Sequence, residues 1–132
     1  MGRARSESIK QLLENRPFEK YLGVKLIEAD NGNSVVRLEI RDELKQRLGL
    51  LHGGVLASLA DISMGVAVLS MVGIVPSVTA QINVNFISPV KEGKVTAYGR
   101  VLRKGKVCYA ETEIKDDGGK LVLKASGVYY LL

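Results

Sequence analysis

The chain has 132 residues, of which 46% are hydrophobic and 25% are charged, and its formal net charge is +5. This length predicts one domain, residues 1–132, with enough apolar side chains for a packed core. The single histidine and the single cysteine, Cys108, exclude an internal disulfide and a structural zinc site built from the usual nitrogen and sulfur ligands. We therefore expect neither a metal nor a disulfide to stabilise the fold.

The basic residues form two clusters in the sequence, which are Arg3, Arg5, Lys10 and Arg16, and then Lys91, Lys94, Arg100, Arg103, Lys104 and Lys106. They are interpreted either as solvated faces of strands and turns or as a surface that attracts a phosphorylated ligand. Nucleic acid is not an expected partner, because aromatic–basic interleaving, a zinc finger and a helix-turn-helix are all absent from the sequence. The polar, basic start lacks the apolar stretch of a signal peptide, so we expect a cytoplasmic location.

The first 20 residues predict a helical segment. A short helix over residues 6–15 is expected, with Ser6 as its N-cap and Pro17 ending it. The apolar side chains of Phe18, Tyr21 and Leu22 are predicted to pin this segment to the rest of the protein.

Alternating apolar and polar residues predict six strands. Residues 24–30 and 34–40 flank the turn signal Asn31-Gly32-Asn33 and predict a β-hairpin. Four further strands are expected at residues 77–87, 94–103, 107–115 and 120–131, with glycine-containing connections. Strands joined by short turns pair antiparallel, so the sequence predicts an antiparallel sheet.

One long apolar helix lies between the hairpin and the later strands. Residues 49–72 read GLLHGGVLASLADISMGVAVLSMV, and Asp61 is the only charged residue between His52 and Pro76. A helix that is apolar nearly all round is predicted to be buried on all sides, so we expect an α+β fold with the sheet wrapped around this helix. The helix is long enough to cross a bilayer. A charge near its centre costs about 2.5–3.5 kcal/mol, however, so a membrane span is not expected.

The spacing within this helix constrains any catalytic site. Free backbone amides at its start, near Gly53, favour an anion or a carbonyl oxygen. Asp61 lies eight residues further on, about 12 Å along the helix axis. Either the two features are unrelated, or Asp61 of one chain meets Gly53 of another across a two-fold axis. Other interpretations leave His52 as a loop residue and Asp61 bonded internally to Ser58 or another hydroxyl.

The chain resembles the hot-dog fold thioesterases, in particular the phenylacetate-pathway (PaaI-like) subfamily. The matching stretches are residues 49–61 (GLLHGGVLASLAD), residues 78–90 (VTAQINVNFISPV) and residues 91–93 (KEG). The resemblance implies a hot-dog fold and hydrolysis of an acyl-coenzyme A thioester by a homodimer that assembles further into a tetramer. It implies no metal and no redox cofactor, and coenzyme A is part of the substrate.

The resemblance also implies roles for individual residues. The Gly53 amide would bind the thioester oxygen, and Gly54 would contribute to substrate binding. His52 would shape this site near the leaving sulfur. Asp61 of the partner chain would act as general base on water or as nucleophile, and Thr79 would orient the water.

One position departs from the family pattern. The family often has Asn six residues before the histidine, where this chain has Gln46, and the additional methylene changes the reach of the amide group. Two alternative functions are a dehydratase on the same fold and a non-enzymatic module that binds acyl-coenzyme A. The sequence leaves the acyl group open among aryl-acetyl, short aliphatic and medium-chain groups.

Overall fold

A computed structural model describes residues 2–132, with side chains from residue 5 onward. Residue 1 and the side chain of Arg3, which the sequence places in a basic cluster, lie outside the described part. The elements in chain order are α1 (Gly2–Glu14), α2 (Pro17–Leu22), β1 (Lys25–Asp30), β2 (Asn33–Glu39), a 3-10 turn (Asp42–Leu44), α3 (Gly53–Val72), β3 (Ser77–Phe86), β4 (Lys94–Arg103), β5 (Val107–Asp116) and β6 (Leu121–Leu131). The predicted helices and strands are all present, with ends that shift by a few residues.

The six strands form one antiparallel sheet in the order β1-β2-β4-β5-β6-β3. The predicted hairpin between β1 and β2 turns at Asn31 and Gly32, whose φ angles of 48° and 88° are those of a type I′ turn. Strand β3 does not pair with β4, the next strand in sequence. Strand β3 pairs with β6 instead, which leaves β3 at one edge of the sheet.

Helix α3 packs across the sheet at close range. A Cβ added at Gly99 on β4 would lie 2.6 Å from the carbonyl oxygen of Ser63, so the glycine lets helix and strand backbones approach. The Ser34 hydroxyl donates to that same carbonyl at 2.6 Å, and the Ser63 hydroxyl donates to Thr112 Oγ1 at 2.8 Å. These bonds fix the middle of α3, and with it the position of Asp61, against the sheet.

The prediction that α3 is buried on all sides is confirmed only for the face that meets the sheet. The fully buried residues of α3 are Leu56, Leu59, Ala60, Ser63, Met64, Val66, Ala67, Val68 and Ser70. Asp61, Gly65 and Leu69 are only partly buried, and all three line a cavity beside the helix. The helix is long and apolar enough to cross a membrane, with a mean hydropathy of 2.0, but half of the apolar stretch is buried inside the protein.

The N-terminal segment differs from its prediction in two ways. Helix α1 begins at Gly2, so Ser6 lies within the helix and is not its N-cap. Leu22 is buried as predicted, but Phe18 and Tyr21 are 55% and 60% exposed and do not pin the segment to the core. Two α1 side chains, Ile9 and Leu13, provide that packing instead.

Candidate active site

His52 forms the N-cap of α3 in an extended backbone conformation. Its Nδ1 accepts a hydrogen bond from the Gly54 amide at 2.8 Å. A neutral imidazole that accepts at Nδ1 carries its proton on Nε2. The local fold therefore fixes the tautomer of His52 and leaves an Nε2–H donor on an exposed side chain.

Gly53 supplies the free amide at the start of α3. Throughout the described residues, no acceptor lies within hydrogen-bond range of the Gly53 N–H, whereas the Gly54 N–H is used by His52 and the next two amides bond the His52 carbonyl. The aromatic ring of Phe86 on β3 lies against Gly53, since a Cβ at this glycine would be 3.4 Å from it. The donor that the resemblance assigns to the thioester oxygen is thus available, while the role of Gly54 in binding stays a prediction.

Asp61 receives two hydroxyl donors on a single carboxylate oxygen. Thr79 Oγ1 and the Tyr129 hydroxyl each donate to Asp61 Oδ1 at 2.9 Å. The Tyr129 hydroxyl also lies 3.2 Å from the Asp61 carbonyl oxygen. These bonds satisfy the carboxylate in its apolar surroundings and leave Oδ2 for a reacting molecule. Ser58 does not bond to Asp61, because its hydroxyl donates to the Gly54 carbonyl at 2.8 Å.

The sheet register brings the two donors together. Thr79 on β3 and Tyr129 on β6 are direct cross-strand partners, and both side chains reach α3. Burial raises the pKa of the Tyr129 hydroxyl, and the negative charge of Asp61 and the hydrogen bond to it raise that pKa further. Tyr129 therefore remains a protonated donor to the carboxylate.

Tyr129 is a site residue that the sequence analysis missed. Its ring occupies space left by a glycine, since a Cβ at Gly127 would lie 2.8 Å from the ring. A glycine inside a strand marks a close approach, so the pair Gly127 and Tyr129 on one face of β6 was the available signal.

Gln46 does not reach Asp61 in this structure. Its side-chain oxygen accepts from the Leu48 amide, and its backbone bonds Leu50 at 2.8 Å and Gly49 at 3.0 Å. These bonds shape the loop that leads into His52. A direct role for Gln46 in catalysis stays a prediction.

The two halves of the predicted site line two different cavities of the single chain. A cavity of about 550 Å³ contains Asp61, Thr79 and Tyr129, and a second of about 310 Å³ is lined by His52 and Gly54. Helix α3 is continuous from Gly53 to Asp61, so the two groups are about 12 Å apart along its axis. One chain alone does not bring the carboxylate to the free amide.

The described residues contain no group of three or more His, Cys, Asp and Glu side chains suited to a metal ion. Of the second basic cluster, Arg100 pairs with Glu111 across β4 and β5, and its other members are exposed on the surface. Exposure alone does not identify any one of these basic side chains as a ligand for a phosphate group.

The fold is that of a hot-dog protein, an antiparallel sheet around one long helix. Its site combines a free glycine amide at the helix start with a hydroxyl-bonded aspartate along the helix, as a hydrolase requires. The profile of the thioesterase superfamily matches residues 48–123. The chain belongs to this superfamily.

Individual proteins agree with this assignment. A protein of Saccharolobus solfataricus, provisionally named an esterase, is 41% identical over 86% of this chain and 81% of its own length. Human acyl-coenzyme A thioesterase 13 is 28% identical over 99% of this chain and 96% of its own. The structure of the Escherichia coli PaaI protein from the phenylacetic acid degradation operon superposes with a TM-score of 0.91, at 25% identity, and covers 99% of this chain and 95% of that one.

Proposed function

We propose that the protein is an acyl-coenzyme A thioesterase of the PaaI-like kind, which hydrolyses an acyl or aryl-acyl thioester to the free acid and coenzyme A. The observation that carries the proposal is that one helix provides both a free backbone amide at its start, at Gly53, and the Asp61 carboxylate. Two hydroxyls donate to one oxygen of that carboxylate. The name of the human relative supports the substrate class.

The working unit we propose is a homodimer, because one chain keeps the two groups apart. The open edge of strand β3 supports this: Val78, Ile82 and Phe86 along the strand are 46%, 36% and 58% exposed. A long apolar edge strand is a template for pairing with another chain. A two-fold axis through the middle of β3 would pair it antiparallel with its copy.

The direction of β3 relative to α3 sets what such pairing brings together. Within one chain, the Phe86 end of β3 lies at Gly53, and the Thr79 end lies at Asp61. Antiparallel pairing places the Thr79 end of one strand beside the Phe86 end of its copy. Asp61 of one protomer would then face the Gly53 amide of its partner, and the dimer would hold two identical sites. Further association of dimers into a tetramer belongs to the same proposal.

The chemistry proposed for this site is acyl transfer to water. The thioester oxygen accepts from the Gly53 amide, which stabilises the negative charge that develops as the carbonyl carbon is attacked. In one route, Asp61 Oδ2 removes a proton from the attacking water. In the other, Oδ2 attacks the carbon itself, and water hydrolyses the resulting anhydride.

The leaving group separates in the same way in both routes. The carbon–sulfur bond breaks and the electron pair stays on sulfur. A thiolate is a good leaving group because an ordinary thiol has a pKa of about 8.5. We assign the donor to the departing sulfur to His52 Nε2–H, because Nδ1 is already used by Gly54.

The test is a panel of acyl- and aryl-acyl-coenzyme A thioesters with detection of free thiol, comparing the natural protein with Asp61→Asn. We expect the natural protein to release thiol and Asp61→Asn, which keeps both hydroxyl contacts possible, to lose most of that activity. Equal turnover by the two proteins would refute the role of Asp61. Conversion without thiol release would favour a dehydratase, and tight binding without conversion would favour a binding module.

A further inference from the structure

The larger cavity joins the Asp61 carboxylate to an apolar chamber along α3. Besides Asp61, its polar end carries Thr79 and Tyr129, and its volume is about 550 Å³, within the usual range of small-molecule pockets. Its other lining side chains are mostly aliphatic, with Arg16, Glu19 and Ser77 as the polar exceptions. A chamber with a reactive carboxylate and a mostly aliphatic lining fits the acyl part of a thioester whose carbonyl lies at Asp61.

The wall formed by α3 sets the length of this chamber. Asp61, Gly65 and Leu69 lie at intervals of four residues and so share one face of the helix, and all three line the cavity. The distance from Asp61 to Leu69 is about 12 Å at 1.5 Å per residue. An extended chain advances about 1.2 Å per bond, as the backbone does, so this wall accommodates about ten bonds.

Gly65 keeps the first turn beyond Asp61 open. Nothing nearer than the Tyr129 ring, at 3.9 Å, would meet a Cβ at this position. Along the row of Asp61, Gly65 and Leu69, a chain leaving the carboxylate meets no side chain until Leu69, while Ile62 and Val66 also line the cavity from α3. A glycine inside a helix is destabilising relative to alanine, and the space that Gly65 leaves in the cavity favours a role in admitting ligand.

Helix α1 forms the opposite wall and is held in place at both ends. Near its start, Arg5 Nη1 donates to the carbonyl oxygens of Ser70 at 3.1 Å and Met71 at 3.4 Å, at the end of α3. Near its end, Glu14 accepts from the Leu26 amide on β1 at 2.8 Å. Between these anchors, three apolar side chains face the cavity, namely Ile9, Leu12 and Leu13.

We propose that this chamber is the acyl subsite and that it selects straight-chain aliphatic thioesters of about eight to ten carbons, with Leu69 setting the length limit. The proposal rests on the thioesterase function proposed above. A shorter chain, or an aromatic ring one carbon from the carbonyl, would leave the space beyond Gly65 unfilled and lose its apolar contacts.

The first test measures kcat/KM for butanoyl-, hexanoyl-, octanoyl-, decanoyl-, dodecanoyl- and phenylacetyl-coenzyme A. Each additional buried methylene should raise kcat/KM about fourfold up to octanoyl or decanoyl, and the increase should then stop. A maximum at butanoyl or at phenylacetyl would overturn the acyl subsite while leaving the thioesterase function intact. Absence of thiol release from every thioester would overturn both.

The second test changes the length limit at one position. Leu69→Phe should lower the ratio of kcat/KM for decanoyl-coenzyme A to kcat/KM for butanoyl-coenzyme A about 15- to 60-fold, the value of two to three methylenes. Leu69→Ala should move the preferred chain to greater length. The control is Leu102→Phe, the same exchange at a leucine that is 52% exposed on β4, which should leave the chain-length profile unchanged. Thermal unfolding of each variant verifies the fold, and an unchanged profile in both folded Leu69 variants would refute the proposal.

Discussion

The exchange Gly53→Pro removes the proposed oxyanion donor with little other change. Gly53 is the first residue of α3, a position that tolerates proline because its N–H has no partner in the helix. His52 already has the extended conformation, φ −64° and ψ 134°, that a following proline requires. The variant should therefore fold as well as the natural protein.

The expected effect on catalysis is large. Loss of one oxyanion donor typically costs about 2.7–4 kcal/mol, or about 100- to 1,000-fold in kcat. Gly53→Ala is the matched control: it adds the Cβ that would lie 3.4 Å from the Phe86 ring but keeps the N–H. Steady-state thiol release should give near-natural kcat for the alanine variant and a loss of at least 100-fold for proline. Equal rates for two well-folded variants would refute the role of the Gly53 amide.

Three further exchanges test other parts of the account. Tyr129→Phe should lower kcat/KM about tenfold or more, because a hydrogen bond to a charged group is worth about 1.5–3 kcal/mol, whereas Tyr130→Phe, at an exposed neighbour, should not; equal losses would argue against positioning by Tyr129. Ile82→Cys, near the middle of β3, should form a disulfide-linked dimer under mild oxidation, whereas Val78→Cys, whose copies would lie about 25 Å apart, should not. Absence of the Ile82→Cys cross-link would count against β3 pairing. Burial raises the pKa of Glu14, but the bonds to Lys10 and the Leu26 amide outweigh this effect, and the pKa in the folded protein is below 4.5. The carboxylate therefore stabilises the fold above that pH, and this contribution is lost as the pH falls through the lowered pKa. The stability deficit of Glu14→Gln should shrink in acid, and a deficit independent of pH would contradict this.

Local signals in the sequence were sufficient for most of the fold. Asn31-Gly32 predicts the turn because few residues adopt positive φ, and the structure has both there. Gly53 begins the central helix as predicted, and Gly73 follows its last residue. Ser6 failed as a helix start because α1 continues through it, which a capping preference alone does not exclude.

Long-range features were harder to predict. The contact of Tyr129 with Asp61 depends on the pairing of β3 with β6. The lengths of the connections between strands do not reveal that β3 pairs with β6 and not with β4, the next strand in sequence. The exposure of Phe18 and Tyr21 likewise reflects the position of α2 at the surface rather than their apolar character. The distance between Gly53 and Asp61, by contrast, follows from helix geometry alone.

The most direct test of the shared site is complementation between two inactive chains. Asp61→Asn and Gly53→Pro chains, each with a different tag, are co-expressed and the mixed dimers are purified. One of the two sites in such a dimer then combines an intact Asp61 with an intact Gly53, so thiol release should recover to about half the natural rate per dimer. Mixed dimers of verified composition that remain as inactive as their parents would contradict a site shared between chains.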